Sequence, residues 1–397
     1  MKVLLLANYL HDEQESMQRF AALMSRGIVE AGHEVRICRP SAFLGRLRPS
    51  GQGIGKWLGY GDKFGLFPYV LRSSLGWADV VHICDHANSV YLRYMKGVPH
   101  VVTCHDLLAI RSALGEIPQN RTGSMGRQLQ RLILRSLSEA QHIMCVSEAT
   151  RRDLLRLVNI SECRVSLAYN ALNYPYSRMD TRAAECRVRG LLIDPSRSFF
   201  LHVGGNQWYK NRLGVLKLFS LLRQVAAARE SQLVMVGKPW TAEMRRFVVK
   251  HGMNDAAFEL TGVSNEDLCA LYSTATMMLF PSLQEGFGWP IVEAQSCGCP
   301  VVTSRRSPMN EVGGNAAIYV DPDDLESAAA IVERSLKLAP SMREASMLNA
   351  RRFSRGPSMI ENYLSLYDKV RNETFMGHQL SSSTDGESPA VIRQQQA

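Results

Sequence analysis

Residues able to do chemistry in this 397-residue chain gather where short apolar runs give way to glycine and charge. The densest such place is Pro281-Ser282-Leu283-Gln284-Glu285-Gly286-Phe287-Gly288-Trp289-Pro290-Ile291-Val292-Glu293-Ala294, which follows a strand-like run and opens a helix. Gly286 and Gly288 let the backbone approach a ligand closely. Pro290 suits a first helical turn, and the amides and positive end of that helix favour a pyrophosphate. Glu285 in the loop and Glu293 in the first turns of the helix can flank one bound molecule and accept hydrogen bonds from its hydroxyls. Alone, the pair reads as readily as a solvated turn residue and a support for the helix start.

A second strand, glycine loop and helix start lies at His202-Val203-Gly204-Gly205-Asn206-Gln207-Trp208-Tyr209-Lys210-Asn211. There Lys210 can bring positive charge to a departing diphosphate, although a lone loop lysine is usually just solvated. In Val101-Val102-Thr103-Cys104-His105-Asp106, a histidine ends a strand. His105 suits the role of hydrogen-bond donor to a sugar hydroxyl, with Asp106 as its expected orienter. Arg127, Arg131 and Arg135 recur at spacing four, on one helical face. That stripe is either solvated or able to meet anionic lipid or a lipid-linked diphosphate.

The elements that must hold these residues alternate along the chain. Strand-like runs at Val3 to Ala7, Val35 to Cys38, Val80 to Cys84, Val101 to Cys104 and Ile143 to Val146 are separated by helical patterns, which implies a parallel sheet. Phe20, Leu23, Met24, Ile28 and Ala31 mark the first helix, and Gly32 its end. The alternation lapses through the polar, Arg-rich stretch from Ser177 to Arg189. It resumes at Phe199 to Val203, then Leu233 to Val236, Phe258 to Leu260, Met277 to Phe280, Val301 to Thr303 and Ile318 to Val320. The expected fold is α/β, with two Rossmann-like doubly wound domains facing a cleft. Residues 1–178 form the first domain and 190–372 the second, with a disordered tail at 374–397.

Composition narrows the function. A hydrophobic fraction of 46% and a charged fraction of 21% are ordinary for a globular protein. The nine cysteines lie mostly in or beside apolar runs, as reduced buried thiols do. No Cys or His pairs stand at zinc spacing, so no metal is expected. The chain starts directly with a strand-like run, and no stretch approaches the ~18 apolar residues of a membrane span. A cytoplasmic protein follows, with peripheral contact at the inner membrane face left open. The net charge of +9 favours acidic partners. Scattered basic residues without an RNA motif or zinc finger argue against nucleic acid.

The stretch from Glu285 to Glu293 resembles the Glu-seven-residues-Glu motif of the retaining GT-B glycosyltransferases of family 4. Gly262 to Leu268, Leu271-Tyr272, Leu279 to Ser282, Cys297-Gly298, Pro300 to Val302, Glu311-Val312 and Asp321-Pro322 extend the likeness over about 120 residues. The resemblance implies that Glu293 binds the ribose of a nucleotide and Glu285 the donor sugar. Gly286, Phe287, Gly288, Gly205 and Asn206 would line the donor site. Lys210 would meet the diphosphate and His105 the sugar. Tyr209 and Gly205 stand where many members carry arginine, so Lys210 is expected to carry more of the phosphate interaction. The first loop lacks the usual glycine pair, and Asp12, Ser16 and Arg19 are its acceptor-side candidates. Asn170 precedes Ala171 rather than the common glycine. The implied activity is metal-independent, retaining transfer of a hexose from a GDP- or UDP-sugar, without cofactor, to a saccharide or lipid-linked saccharide in surface polysaccharide or glycolipid synthesis. A GT-B sugar-nucleotide epimerase and an inactive nucleotide-binding scaffold are the alternatives.

Overall fold

The computed structural model describes residues 1–12, 14–47, 54–354 and 356–384. Two six-stranded sheets carry the chain, and every strand pairing within them is parallel. The first holds β1 (Lys2–Leu6), β2 (Glu34–Cys38), β3 (Val80–Ile83), β4 (His100–Cys104), β5 (His142–Cys145) and β6 (Val165–Leu167), in spatial order β2-β1-β3-β4-β5-β6. The second holds β7 (Phe199–Gly204), β8 (Gln232–Gly237), β9 (Ala257–Leu260), β10 (Met277–Phe280), β11 (Val301–Ser304) and β12 (Ala317–Val320), in order β12-β11-β10-β7-β8-β9. Helices cover both faces, so the central strands are continuous apolar runs with no exposed side; Met277 to Phe280 are all fully buried.

Strand order decides where ligands bind. In an open parallel sheet, the crevice lies beyond the strand carboxyl ends, where the order reverses. That point falls between β1 and β3 in the first sheet and between β7 and β10 in the second. The loops after β7 and β10 are those bearing Lys210 and Glu285.

The first helix, Glu15–Glu30, buries Phe20, Leu23, Met24 and Ile28 and is capped by Ala31. Gly32 then takes φ +84°. Its amide bonds to the Val29 carbonyl and that of His33 to the Ile28 carbonyl, closing the turn as a Schellman motif.

Helices lie at both ends of the second domain's sequence, and the last of them departs from the expected bounds. The Arg-rich junction is not merely a link: Thr181–Gly190 is a helix, capped by Asp180, whose Ala184 and Val188 pack into the second core. The last helix, Gly356–Thr384, crosses back to the first domain instead of closing the second. Its residues Met359, Ile360, Tyr363, Leu366, Tyr367 and Val370 cover Val3, Leu5, Phe20 and Met24. These spacings make one apolar stripe, and each large side chain so buried stabilises by about 1.5–3 kcal/mol. Tyr367 and Tyr363 also join a buried chain through His82 and Thr103, with successive contacts of 2.7, 2.7 and 2.8 Å. Residues 374–384, expected in a disordered tail, continue this helix, while 385–397 lie outside the described residues.

Candidate active site

The loops after β7 and β10 are fastened to each other before any ligand arrives. Leu283 N–H donates to the Tyr209 carbonyl at 2.8 Å, and the Asn211 amide donates to the Pro281 carbonyl at 3.1 Å. Asn211 sits in the left-handed region at φ +51°, a conformation asparagine tolerates, and there it starts the helix Arg212–Leu222. This arrangement brings Lys210 to Glu285: Nζ lies 2.8 Å from both carboxylate oxygens. Only 15% and 6% of the two side chains are exposed, so solvent screens the pair little. Two of the three ammonium hydrogens serve Glu285, which leaves one for a further anion.

Glu293 occupies the helix Trp289–Ser296, entered through Gly288 at φ +98° with Pro290 in the first turn. Only 3% of the residue is exposed. Tyr272 donates to one carboxylate oxygen at 3.0 Å and Asn173 to the other at 3.2 Å. Each oxygen keeps a second acceptor position, which suits two neighbouring hydroxyls. Burial is the main cause of a raised Glu293 pKa, opposed by Arg19, Tyr272, Asn173 and Lys210. Arg19, expected on the acceptor side, thus exerts its charge on Glu293. The carboxylate must be ionised to accept from two hydroxyls. Nucleotide affinity should therefore weaken as pH falls through the raised Glu293 pKa, above the range in which an ordinary glutamate titrates. The ligand-free fold should respond oppositely, gaining stability as pH falls through that value and losing it as pH rises. Calorimetric titration with GDP and UDP across acidic to neutral pH checks this: the fall should flatten in Glu293→Gln, and an unchanged profile would contradict it.

A second cation follows Lys210 by two residues, and both exert their charge on His202. Arg212 is 4% exposed; one of its amino groups donates to the Lys238 carbonyl at 2.7 Å and also contacts Asn206. Its Nε and remaining amino group have no partner within the protein, and neither does Nε2 of buried His202. The expectation that Lys210 carries more of the phosphate interaction did not weigh the buried guanidinium of Arg212, two residues on in the chain. Leucine-rich helix periodicity hid Arg212 in the sequence.

From the first domain comes His105, buried at the end of β4 with its ring edge-on to Phe20 at 4.6 Å. Its Nε2 lies 2.9 Å from the Cys84 carbonyl, which can only accept. With burial lowering its pKa, the ring is neutral and Nδ1 is an acceptor. Two expectations change. The orienter is the Cys84 carbonyl rather than Asp106, whose carboxylate instead accepts from Leu108 N–H, at the start of the next helix, at 2.9 Å. His105 would also receive, not give, a hydroxyl hydrogen.

Gly286 meets this histidine across the cleft: a Cβ there would lie 2.3 Å from the His105 carbonyl oxygen. Phe287 packs its ring against Phe353 and Tyr169 in the core, which leaves its backbone as the part able to meet a ligand. Asn206 donates to the Pro239 carbonyl at 2.8 Å and secures the loop that contains Gly205. A small open pocket beside Glu285 is lined by Asp106, Arg111, Thr150, Asp153, Gln284 and Ser307, from both domains.

The first loop is more ordered by charge than its composition suggested. Asp12 pairs with Lys63 at 2.9 Å, while Ser16 and Arg19 are exposed on the first helix. Asn8 donates to buried Asp85 at 2.5 Å, and Asp85 lies 3.1 Å from His86. Asp85, His86 and Asn173 were absent from the sequence reading, and Tyr272 entered it only as part of the family likeness, with no role at the site; the position of Asp85 and His86 just after a central strand was the available signal. Asn170 is buried, its side-chain oxygen without a partner in the protein.

Comparison with known proteins agrees on both halves. The model of glycosyltransferase family 4 matches residues 17–174, and that of the group 1 glycosyl transferases matches 188–353. O-antigen chain mannosyltransferase B of Escherichia coli is 29% identical over 260 residues, which cover 64% of this chain and 66% of that protein. O-antigen chain mannosyltransferase RfbU of Salmonella typhimurium is 24% identical over 253 residues, covering 64% and 63%. The matched part thus spans just under two thirds of these relatives' own length. Sucrose-phosphate synthase from Thermosynechococcus elongatus superposes with a TM-score of 0.73 at 16% identity, over 93% of this chain and 99% of that one. Anabaena HepE in complex with UDP and glucose also gives 0.73, at 13% identity, over 93% and 100%. These structural likenesses establish the two-domain GT-B fold. With one family model on each domain, the chain belongs to the group 1, family 4 glycosyltransferases.

Proposed function

We propose that this protein transfers a hexose from a GDP- or UDP-sugar to a hydroxyl of a saccharide or lipid-linked saccharide, with retention and without a metal. The observation that carries this reading is the buried Lys210–Glu285 pair on the loops of the second switch point, with buried Glu293 on the helix that follows. Glu293 would take the ribose hydroxyls and Glu285 the sugar beside its reacting carbon. The free hydrogen of Lys210, with the charge of Arg212 behind it, would stabilise the departing diphosphate. The bond from the anomeric carbon to the phosphate oxygen breaks, and the acceptor oxygen bonds to the same face. The acceptor proton goes to the leaving phosphate. The names of the O-antigen mannosyltransferases favour a role in surface polysaccharide synthesis and make mannose the first sugar to test.

The test supplies GDP-mannose and UDP-glucose in EDTA with a panel of saccharide acceptors. Product with the donor's anomeric configuration, at an undiminished rate, is expected. Turnover without any acceptor would favour the epimerase, and loss of activity in EDTA would overturn the metal-free reading.

A reducing, cytoplasmic setting fits nine free cysteines, seven of them buried. None of the described helices is long and apolar enough to cross a membrane. Peripheral contact with the inner membrane face is proposed from Arg127, Arg131 and Arg135, all exposed, and from a first-domain lobe that exposes Phe43, Leu47, Trp57, Leu66, Tyr69 and Val70. Vesicles containing anionic lipid should sediment the protein, less so with Tyr69→Ser and Trp57→Ser; equal binding to neutral vesicles, or none to either, would refute it.

A further inference from the structure

We propose that Glu311 is the clasp that holds the cleft closed, a positioning residue for sugar transfer; the proposal rests on the transferase reading above. Glu311 lies in the second domain, on the short helix Met309–Gly313 that follows β11. Its carboxylate reaches the first domain, where one oxygen accepts from Glu148 N–H at 2.8 Å and the other from Ala149 N–H at 3.0 Å. Those amides are the first two of the helix Glu148–Leu157. A helix leaves its first amides without internal partners, and its N-terminus favours negative charge. Here the third amide, that of Thr150, is served locally by the Ser147 hydroxyl at 3.1 Å. The first two are served by the other domain. Ser307 and Tyr169 also donate to the Glu311 carboxylate, which fixes its orientation.

The same helical turn holds the catalytic loops. The Ser147 hydroxyl lies 2.8 Å from the Gly286 carbonyl, and the Thr150 hydroxyl lies 3.1 Å from the His105 carbonyl. One helix start therefore reads the docking of Glu311 on one side and sets the spacing of Gly286 and His105 on the other. The bonds of Glu311 to Glu148 and Ala149, and of Ser147 to Gly286, cross between the domains and would part if they separated, whereas that of Thr150 to His105 lies within the first domain. When the cleft opens, the two amides return to water and the register of the two loops is released. Closure gated in this way would exclude water from the donor and align the reacting groups.

The experiment compares wild type with Glu311→Ala and Glu311→Gln by steady-state kinetics, calorimetric binding of GDP and UDP, and small-angle X-ray scattering with the nucleotide bound. For Glu311→Ala, kcat should fall about ten- to a hundredfold while nucleotide Kd stays within about threefold, because the nucleotide groups lie in the second domain. The radius of gyration of the nucleotide complex should rise, and donor hydrolysis should increase relative to transfer. Glu311→Gln, which keeps one acceptor but loses the charge, should fall between. Wild-type kcat and scattering in Glu311→Ala would overturn the clasp. So would a parallel loss of nucleotide binding and melting temperature in both variants, which marks a structural role. Should wild type transfer no sugar at all, the transferase reading fails, and scattering alone still decides whether Glu311 closes the domains.

Discussion

Lys210→Met is expected to lower kcat by about two to three orders of magnitude, the usual loss when one preorganised stabiliser of developing charge is removed. The expectation rests on geometry: Lys210 Nζ lies 2.8 Å from both Glu285 oxygens and keeps one hydrogen for the diphosphate. The substitution also strands a carboxylate that is only 6% exposed. Breaking a buried pair from one side typically costs ~3–5 kcal/mol, mostly because the surviving charge lacks a partner. Two effects are therefore superimposed, and Lys210→Met combined with Glu285→Gln separates them. The double variant should recover most of the melting temperature, since no buried charge remains unpaired. Its turnover should remain low. Recovered turnover would mean that Lys210 merely neutralises Glu285 and has no part in releasing the diphosphate.

Gly286→Ala is the second large effect. A methyl group there would sit 2.3 Å from the His105 carbonyl oxygen, with backbone rather than a movable side chain in its way. The loops must part by roughly 1 Å to restore an ordinary contact near ~3.5 Å. Displacement on that scale can cost about a hundredfold in rate where groups must be held in attacking geometry. The change should reduce kcat/KM by about that factor while nucleotide binding is kept, since Glu293, Tyr272 and Lys210 all belong to the second domain. Steady-state kinetics beside calorimetry makes the comparison. Wild-type kcat/KM in Gly286→Ala would show that the contact between Gly286 and His105 is dispensable for turnover.

Much of this was legible in the sequence because parallel strands covered on both faces must be apolar throughout. Met277 to Phe280 stands out as such a run, and β10 has those bounds. Glu285, Gly286, Gly288 and Glu293 were legible for a related reason: loop, glycine and helix start lie within one short stretch. Partners that arrive from far along the chain left no such trace. Tyr272 and Asn173 reach Glu293 from 21 and 120 residues away. The Cys84 carbonyl that orients His105 belongs to the backbone, which carries no sequence signal. The last helix runs on into residues expected in a disordered tail, and its stripe from Met359 to Val370 does not say which sheet it covers. Only packing against Val3, Leu5 and Phe20 decides that.

The central claim is that the second domain holds a nucleoside diphosphate through buried Glu293. Its most direct test is calorimetric titration of GDP and UDP into wild type and Glu293→Ala at neutral pH, with the melting temperature of each ligand-free protein as a control on folding. One nucleotide should bind the wild type, and its Kd should weaken by about tenfold or more in the variant, as expected for loss of hydrogen bonds to a charged acceptor. Equal affinity in both folded proteins, or no binding of either nucleotide to the wild type, would contradict the account.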